Sequence, residues 1–234
     1  MTDLTGKIAL VTGASQGIGR SICVAYAKAG AHVIAVARNK RKLEKLYDEI
    51  SKGGGKCTLL PLDINDTEEV RKVGATLLQA VGGLDIFVGN AGLSGTLSPL
   101  CDIKPDEFNR VMATNLSANF HLIQTLDPLL KQSAAGRVLL VTTAKSVVHG
   151  RAYWGTYSIS KAALESMARV YADEVRQTNI KVNLIDPGVA RTNMRAGVAP
   201  GEDPMSIPAP EDIMDQFLYA VSDECSHHGQ IIQV

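Results

Sequence analysis

Short apolar runs alternate with amphipathic segments from one end of the chain to the other. The runs have the length and composition of buried strands, and they cover residues 8–11, 32–36, 57–62, 86–88, 138–142, 181–185 and 230–234. Between the first two runs, apolar side chains recur at helical spacing from Ile18 to Ala29, and Gly30 closes the segment. This alternation predicts an α/β fold with a doubly wound parallel sheet of about seven strands and helices on both faces.

Several predicted helices carry recognisable end signals. Asn39 stands where it can cap the helix that follows the second strand, and Asp66 with Glu69 has the spacing of a capping box. Pro105 is placed to open a long helical region, since proline is well tolerated in a first helical turn. Residues 211–221 form the last predicted helix.

The chain has 234 residues, a length that suits one large α/β domain. No repeat or flexible linker divides it, so residues 1–234 are interpreted as a single domain. The one interruption rich in proline and glycine covers residues 196–210. It is either a loop with a little helix over an active site or a plain surface connection, because both have this composition.

Composition narrows the classes of partner. The formal net charge is zero, so no basic surface for nucleic acid is expected. No apolar run approaches the ~20 residues of a membrane-spanning helix, and the first residues lack the apolar core of a signal peptide. Four cysteines are scattered without C-x-x-C spacing, which is typical of reduced thiols in a cytoplasmic protein. No residue pattern indicates a metal site.

Residues 12–19 form a glycine-rich turn between the first strand and the first helix. Glycines allow backbone amides to approach a phosphate, and the positive end of the helix dipole then faces that phosphate. The turn lacks the Gly-Lys-Ser/Thr ending of a P-loop, so nucleotide hydrolysis is unsupported. Its place after the first strand predicts dinucleotide binding. The candidate binding residues in the turn are Gly13, Ser15, Gln16, Gly17, Ile18 and Gly19.

Tyr157 and Lys161 are four residues apart, so their side chains share one face if the segment is helical. A cation beside a phenol favours the phenolate and therefore lowers the pKa of the tyrosine. Such a tyrosine can exchange a proton with a substrate. Taken alone, the pair is more simply interpreted as two residues on a solvated helical face.

Together these motifs resemble those of the classical short-chain dehydrogenase/reductase family. The resemblance spans essentially the whole chain and implies a Rossmann-type fold. It is carried by the turn at residues 12–19, Asn90-Ala91-Gly92, Asn115, Tyr157 with Lys161, and Pro187-Gly188, in that order. Residues 151–157 and 203–214 are similar to a bacterial subgroup whose substrate the sequence does not identify. Within the domain, the resemblance implies that residues 193–210 form the substrate loop.

The resemblance also implies a nicotinamide cofactor, and the residues after the second strand bear on its type. NAD-selective sites place an acidic residue there, but this chain has Ala37 followed by Arg38. Because Arg38 can bind a 2′-phosphate through charge-assisted hydrogen bonds, NADP is favoured over NAD. Arg38 could instead point into water. Gln16 stands where many NADP-dependent relatives carry a second arginine, which weakens the case.

Further cofactor contacts are implied by the family pattern alone. Asp63 and Ile64 should border the adenine, and Asn90, Ala91 and Gly92 should line the adenosine side. The nicotinamide end should be held by Pro187, Gly188, Val189 and Thr192, together with Tyr157 and Lys161.

By the same resemblance, four residues would carry out the chemistry. Tyr157 would be the acid in reduction and the base in oxidation, and Lys161 would lower its pKa and bind the nicotinamide ribose. Asn115 would hold a water in a proton relay; otherwise it satisfies local backbone in a helix. The family serine that polarises the carbonyl has no clear equivalent. Thr143 is favoured for that role and Ser146 is the second choice.

The sequence therefore predicts an NADP-dependent oxidoreductase that interconverts an alcohol and a carbonyl by hydride transfer. The alternative is an NADP-binding sensor or scaffold protein with little catalysis, because the usual serine is altered. The expected partner is a small-molecule substrate, not nucleic acid or a membrane. Cytoplasmic location is expected from the scattered cysteines and the lack of a signal-peptide core, and assembly into a homodimer or homotetramer is an expectation from the resemblance.

Overall fold

The apolar runs become seven strands in the computed structural model, which describes residues 2–234. In chain order the strands are β1 (Ile8–Thr12), β2 (His32–Ala37), β3 (Lys56–Pro61), β4 (Ile86–Gly89), β5 (Arg137–Val141), β6 (Lys181–Asp186) and β7 (Ile231–Gln233). They form one sheet in the order β3-β2-β1-β4-β5-β6-β7, and every neighbouring pair is parallel. The predicted parallel α/β sheet is therefore confirmed.

Helices connect the strands and cover both faces of the sheet. They are α1 (Gly17–Lys28), α2 (Lys40–Lys52), α3 (Thr67–Val81), α4 (Pro105–Met112), α5 (Ala118–Gln132), α6 (Lys145–Val148), α7 (Gly155–Glu174), α8 (Asn193–Val198) and α9 (Met214–Val221). A π-helical turn, Ala113–Ser117, joins α4 to α5. Short 3-10 turns occur at Leu100–Asp102, Pro204–Ser206 and Pro210–Ile213.

The sheet separates two apolar cores, and alternation along β1 shows how. Leu10 lies opposite Ile34 on β2 and Phe87 on β4, and all three belong to the core beneath α3, α5 and α7. Ala9 and Val11 point to the other face, where they join the core beneath α1, α2 and α9. Because the central strands are buried on both faces, their sequences are continuously apolar instead of alternating between apolar and polar residues.

Three predicted helices differ from the prediction in detail. The long helix opened by Pro105 is interrupted by the π-helical turn around Asn115. The helix predicted from residue 211 begins as a 3-10 turn, and α9 starts only at residue 214. At α3, Asp66 caps the backbone N–H of Glu69 at 3.1 Å, but the Glu69 carboxylate pairs with Lys72 at 2.6 Å, so the reciprocal half of the capping box is missing.

Strand order reverses beside β1. The chain runs outward from β1 through β2 to β3, then returns to β4 on the opposite side of β1. The loops after β1 and β4 therefore diverge above the sheet and leave a crevice at the carboxyl ends of the strands. Ligands of open α/β sheets bind at this kind of position, and the candidate site lies there.

Candidate active site

A cleft of about 810 Å³ opens above the carboxyl ends of the strands. It is lined by every residue that the sequence predicted for cofactor binding, and by Tyr157, Lys161 and Thr143. Ser146, the second choice for the substrate hydroxyl, also lines it. Asn115 does not line the cleft, because it is fully buried beneath it.

The glycine-rich turn forms one wall of the cleft from backbone. Gly13 has a φ of +68°, and a Cβ there would lie 2.8 Å from Asn90 Nδ2 and 3.0 Å from the Ala91 Cα. Helix α1 starts at Gly17, with no side-chain cap and no acidic residue in its first turn. Its free N–H groups therefore face the cleft without a competing anion, which fits the binding of a phosphate group.

The turn is tied to the next loop by a residue that the sequence analysis did not single out. The Thr12 hydroxyl accepts hydrogen bonds from the N–H groups of Asn90 and Ala91, both at 3.0 Å. Asn90 Nδ2 returns a bond of 2.9 Å to the Thr12 carbonyl. A threonine directly before the first glycine is the only sequence signal for this contact. The two loops that should enclose a dinucleotide are thus held as one unit.

Two cations stand at the end of β2. Arg38 is mostly exposed and lies 3.7 Å from the Asp63 carboxylate. Lys42, which the sequence analysis missed, donates a bond of 2.6 Å to Gln16 Oε1 and also lines the cleft. Asn39 caps α2 by accepting from the Lys42 N–H, and the first turn of α2 has no acidic residue. This corner is therefore suited to an additional phosphate.

Tyr157 and Lys161 both lie on α7 and project into the cleft, with Lys161 Nζ 5.8 Å from the centre of the Tyr157 ring. Lys161 Nζ donates a hydrogen bond of 2.7 Å to the Val141 carbonyl. Burial lowers the pKa of Lys161 to about 8. The sequence-based interpretation as a solvated surface pair is wrong, because Lys161 is only 3% exposed.

Several groups act on the pKa of Tyr157. Burial raises it above its ordinary value, the neighbouring Thr143 hydroxyl lowers it, and the Asp186 carboxylate raises it. Lys161 as a group that lowers this pKa stays a prediction. Its ammonium is directed at the Val141 carbonyl, while removal of the phenol from water costs the phenolate more than the phenol.

Thr143 and Ser146 differ in their surroundings. Thr143 is half-buried two residues after the end of β5, and its hydroxyl is near enough to Tyr157 to lower the pKa of the phenol. Ser146 is exposed in the first turn of α6. A substrate oxygen near the Tyr157 hydroxyl would therefore lie close to Thr143. Ala144, the next residue along the chain, has no hydroxyl.

Asn115 has a different environment from the one expected of a water-binding residue. Its Nδ2 donates to the Leu93 carbonyl and to Ser160 Oγ, both at 2.9 Å, so both donor hydrogens are used. Its Oδ1 accepts from the Leu93 N–H at 2.8 Å. Ser160 in turn donates to the Tyr157 carbonyl at 2.8 Å. Asn115 thus braces the loop after β4 against the helix that carries Tyr157, and its amide cannot donate to a water.

The loop after β6 closes the nicotinamide end predicted from the sequence. Asp186 is buried and accepts a bond of 3.0 Å from the Gly188 N–H, and burial raises its pKa. Thr192 caps α8 by accepting from the Arg195 N–H at 3.1 Å. The Thr192 methyl faces Gly17 across the cleft, where a Cβ on Gly17 would lie 3.3 Å from it. This loop and the glycine-rich turn therefore approach each other.

Residues 193–210 contribute side chains to the border of the cleft, among them Met194, Arg195 and Val198. The segment contains α8 and the turn Pro204–Ser206, and Arg195 forms a two-pronged ion pair with Glu202 through contacts of 2.6 Å. Its role as a substrate loop stays a prediction.

Metal-binding clusters and membrane-spanning helices are both absent from residues 2–234. Across residues 2–234, histidine, cysteine and acidic side chains nowhere gather in threes at a geometry that could bind a metal ion. Within the same residues, no helix has the length and apolarity needed to traverse a bilayer.

Comparison with known proteins gives consistent matches. Residues 7–203 match the sequence profile described as short chain dehydrogenase. Oxidoreductase YciK of Escherichia coli strain K12 is 40% identical over 225 residues, which cover 94% of this chain and 88% of YciK. A short chain dehydrogenase structure from Shigella flexneri 2a, complexed with NADP, is 38% identical with a TM-score of 0.95, covering 100% of this chain and 99% of the other. Another from Escherichia coli CFT073, complexed with NADPH, is 37% identical with a TM-score of 0.92, covering 98% and 96%.

Proposed function

The chain belongs to the short chain dehydrogenase family of oxidoreductases, and on that premise we propose that it interconverts an alcohol and a carbonyl with NADP as cofactor. The observation that carries the proposal is the convergence of Tyr157, Thr143 and Lys161 in the cleft above the glycine-rich turn. A phenol, a second hydroxyl and an ammonium are the groups that such a reaction needs beside a hydride source.

Each of these side chains has a distinct role. In reduction, Tyr157 gives its hydroxyl proton to the carbonyl oxygen, and in oxidation it takes that proton back. Thr143 donates a hydrogen bond to the same oxygen and stabilises the charge that develops there. The nicotinamide supplies or accepts the hydride. Lys161, which lines the cleft and is only 3% exposed, would hold the nicotinamide ribose.

Asn115 is a positioning residue in this proposal. Its bonds to Leu93 and Ser160 hold the cofactor loop and the first turns of α7 at a fixed separation. Because a small displacement of a proton donor costs much of its effect, this brace matters for the rate without contact with substrate. Its Oδ1 retains one acceptor site, through which a water in a relay could still donate.

A phenol whose pKa lies above its ordinary value stays protonated throughout the neutral range, so Tyr157 is available as the proton donor in carbonyl reduction.

NADP is preferred over NAD in this proposal because of the corner formed by Arg38, Lys42 and Gln16. Two cations flank the start of α2, and the residue at the end of β2, where NAD-selective sites have an acid, is Ala37. The NADP and NADPH complexes of the similar structures from Shigella flexneri and Escherichia coli support the same preference.

The alternative of an NADP-binding sensor or scaffold with little catalysis rests on the altered sequence Thr143-Ala144. The presence of Thr143 beside Tyr157 in the cleft argues against that alternative, since a hydroxyl is available near the proton donor. Assembly into a homodimer or homotetramer stays a prediction, testable by size-exclusion chromatography with light scattering. Cytoplasmic location also stays a prediction.

The test is NADPH consumption over a panel of aldehydes and ketones. Tyr157→Phe removes the proton donor but keeps the ring, so turnover should fall roughly a thousandfold, within the range of general acid catalysis. NADPH affinity, measured by calorimetry, should change little. Unchanged turnover in Tyr157→Phe would contradict the mechanism, and NADPH binding without turnover of any panel member would favour the sensor.

A further inference from the structure

Arg151, Trp154 and Tyr157 lie side by side along the part of the cleft proposed to bind the substrate. The Trp154 ring centre lies 5.7 Å from that of Tyr157, and the Arg151 guanidinium carbon lies 5.7 Å from the Trp154 ring. All three residues line the cleft. A cation over an aromatic face is held in place by the ring quadrupole, so the guanidinium has a preferred position beside the site.

The backbone around Trp154 is fixed by an unusual conformation. Tyr153 has a φ of 71°, the one positive value among the described residues other than glycine. Its carbonyl accepts a bond of 3.1 Å from the Ser98 N–H. A Cβ on Gly155 would lie 2.8 Å from Leu100 Cδ1, so the loop before α4 packs directly on this turn. Strained backbone that the surroundings hold in place is typical of functional sites.

Charge in the cleft is unevenly balanced. Its two carboxylates, Asp63 and Glu211, lie within 4 Å of Arg38 and Arg20 and so are already matched by cations. Arg151 is exposed and, within residues 2–234, has no carboxylate within 4.0 Å. The substrate end therefore presents an unneutralised guanidinium although the chain as a whole has no net charge.

We propose that Arg151 recognises an anionic group on the substrate, and that the substrate class is a carbonyl or alcohol compound bearing a carboxylate or a phosphate. Trp154 provides the apolar surface over which the carbon skeleton lies between that anion and the reacting carbon. The assignment rests on the proposed oxidoreductase function. It adds a specificity determinant, since a planar guanidinium binds carboxylate or phosphate oxygens in pairs.

The test compares charged carbonyl compounds with matched neutral ones. The probes are 4-oxopentanoate against its methyl ester, and dihydroxyacetone phosphate against dihydroxyacetone, each followed by NADPH consumption. At least one anion should exceed its neutral partner in kcat/KM by roughly tenfold, and the pair that does so distinguishes carboxylate from phosphate. Arg151→Gln should remove most of that ratio, and Arg151→Lys should restore part of it. The control is Arg71→Gln, an exposed arginine of α3 paired with Glu68.

A binding measurement keeps this inference separate from the proposed function. Trp154 is the sole tryptophan, so its fluorescence reports directly on the stack. In the presence of NADP, 4-oxopentanoate or dihydroxyacetone phosphate should change that fluorescence saturably, roughly tenfold more weakly in Arg151→Gln. Saturable anion binding without turnover would support the recognition site while the oxidoreductase proposal failed. The Arg151 assignment would be overturned if the anion and its neutral partner changed the fluorescence equally, or if Arg151→Gln weakened the binding of both equally.

Discussion

Along the glycine-rich turn the cleft wall is made of backbone, whereas around Trp154 it is made of side chains. The half proposed to bind the cofactor, called the cofactor half, is held by bonds between loops that follow different strands, such as those of Thr12 to Asn90 and Ala91. The half proposed to bind the substrate, called the substrate half, is built from residues 193–210 and the turn that carries Arg151 and Trp154. Backbone amides bind a phosphate whatever the neighbouring side chains are, so the first half suits a common cofactor and the second can vary with the substrate.

The largest effect in the substrate half is expected from Thr143→Val, which keeps the shape and removes the hydroxyl. Turnover should fall roughly a hundredfold, as for loss of one donor to a developing oxyanion, while NADPH affinity stays the same. Steady-state kinetics with calorimetry would measure both. Ser146→Ala is the matched control, because Ser146 is the exposed alternative hydroxyl. A greater loss in the control would reverse the assignment.

The corresponding test of the cofactor half is Gly13→Ala. A Cβ there would press on Asn90 Nδ2 and Ala91 in addition to imposing an unfavourable φ, so NADPH affinity should fall roughly thirtyfold. Gly82→Ala is a matched control with a φ of +86° and no atom within 4 Å of the new Cβ. This control shows how much of any loss in the free energy of unfolding comes from the positive φ alone. If both variants bind NADPH like the parent, the backbone does not form the phosphate site.

A smaller, selective effect is expected at the end of β2. Arg38→Ala and Lys42→Ala should each weaken NADPH binding roughly tenfold, since each removes one charge-assisted contact to a phosphate, and leave NADH binding almost unchanged. Calorimetric titration of both cofactors measures the ratio. Lys52→Ala, in the last turn of α2, controls for the loss of one positive charge from the same helix. If the parent protein bound NADPH and NADH with equal affinity, the corner formed by Arg38, Lys42 and Gln16 would not select between the two cofactors.

The smallest expected effect concerns Lys161, where the two halves meet. The folded pKa of about 8 lies below the ordinary 10.5, so the folded protein carries a buried charge below pH 8 at a cost in stability. Between pH 8 and 10.5 the unfolded chain binds the proton and the folded one does not, so this cost declines as pH rises.

Near pH 7, Lys161→Met should therefore have a free energy of unfolding about 1 kcal/mol higher than the parent, once the lost hydrogen bond to Val141 is counted. Denaturant titration measures this difference. The difference should shrink above pH 8. In the parent, kcat/KM should decline as pH rises through about 8, because the ammonium is lost. Lys45→Met, at an exposed position of α2, is the control. A less stable Lys161→Met would show that the hydrogen bond outweighs the buried charge.

Much of this architecture was predictable, and the errors are local. All seven strands and the helix starts at Asn39 and Asp66 follow from periodicity and capping, which act over a few residues. The break at Asn115 was not predictable, because an asparagine in a helical pattern does not reveal that its side chain will bond to Leu93, 22 positions earlier. Lys42 was missed because on an amphipathic helix it looks like any solvated lysine.

The sequence by itself determined the order of strands and helices, the glycine-rich turn at the carboxyl end of β1, and the presence of Tyr157 and Lys161 on one helix. The tertiary structure decided which groups meet. It placed Thr143 rather than Ser146 against Tyr157, tied Thr12 to the loop after β4, and brought Arg151 and Trp154 to the cleft. It also raised the pKa of Tyr157, because that pKa depends on exclusion of water from the whole site, whereas sequence spacing specifies only neighbours along the chain.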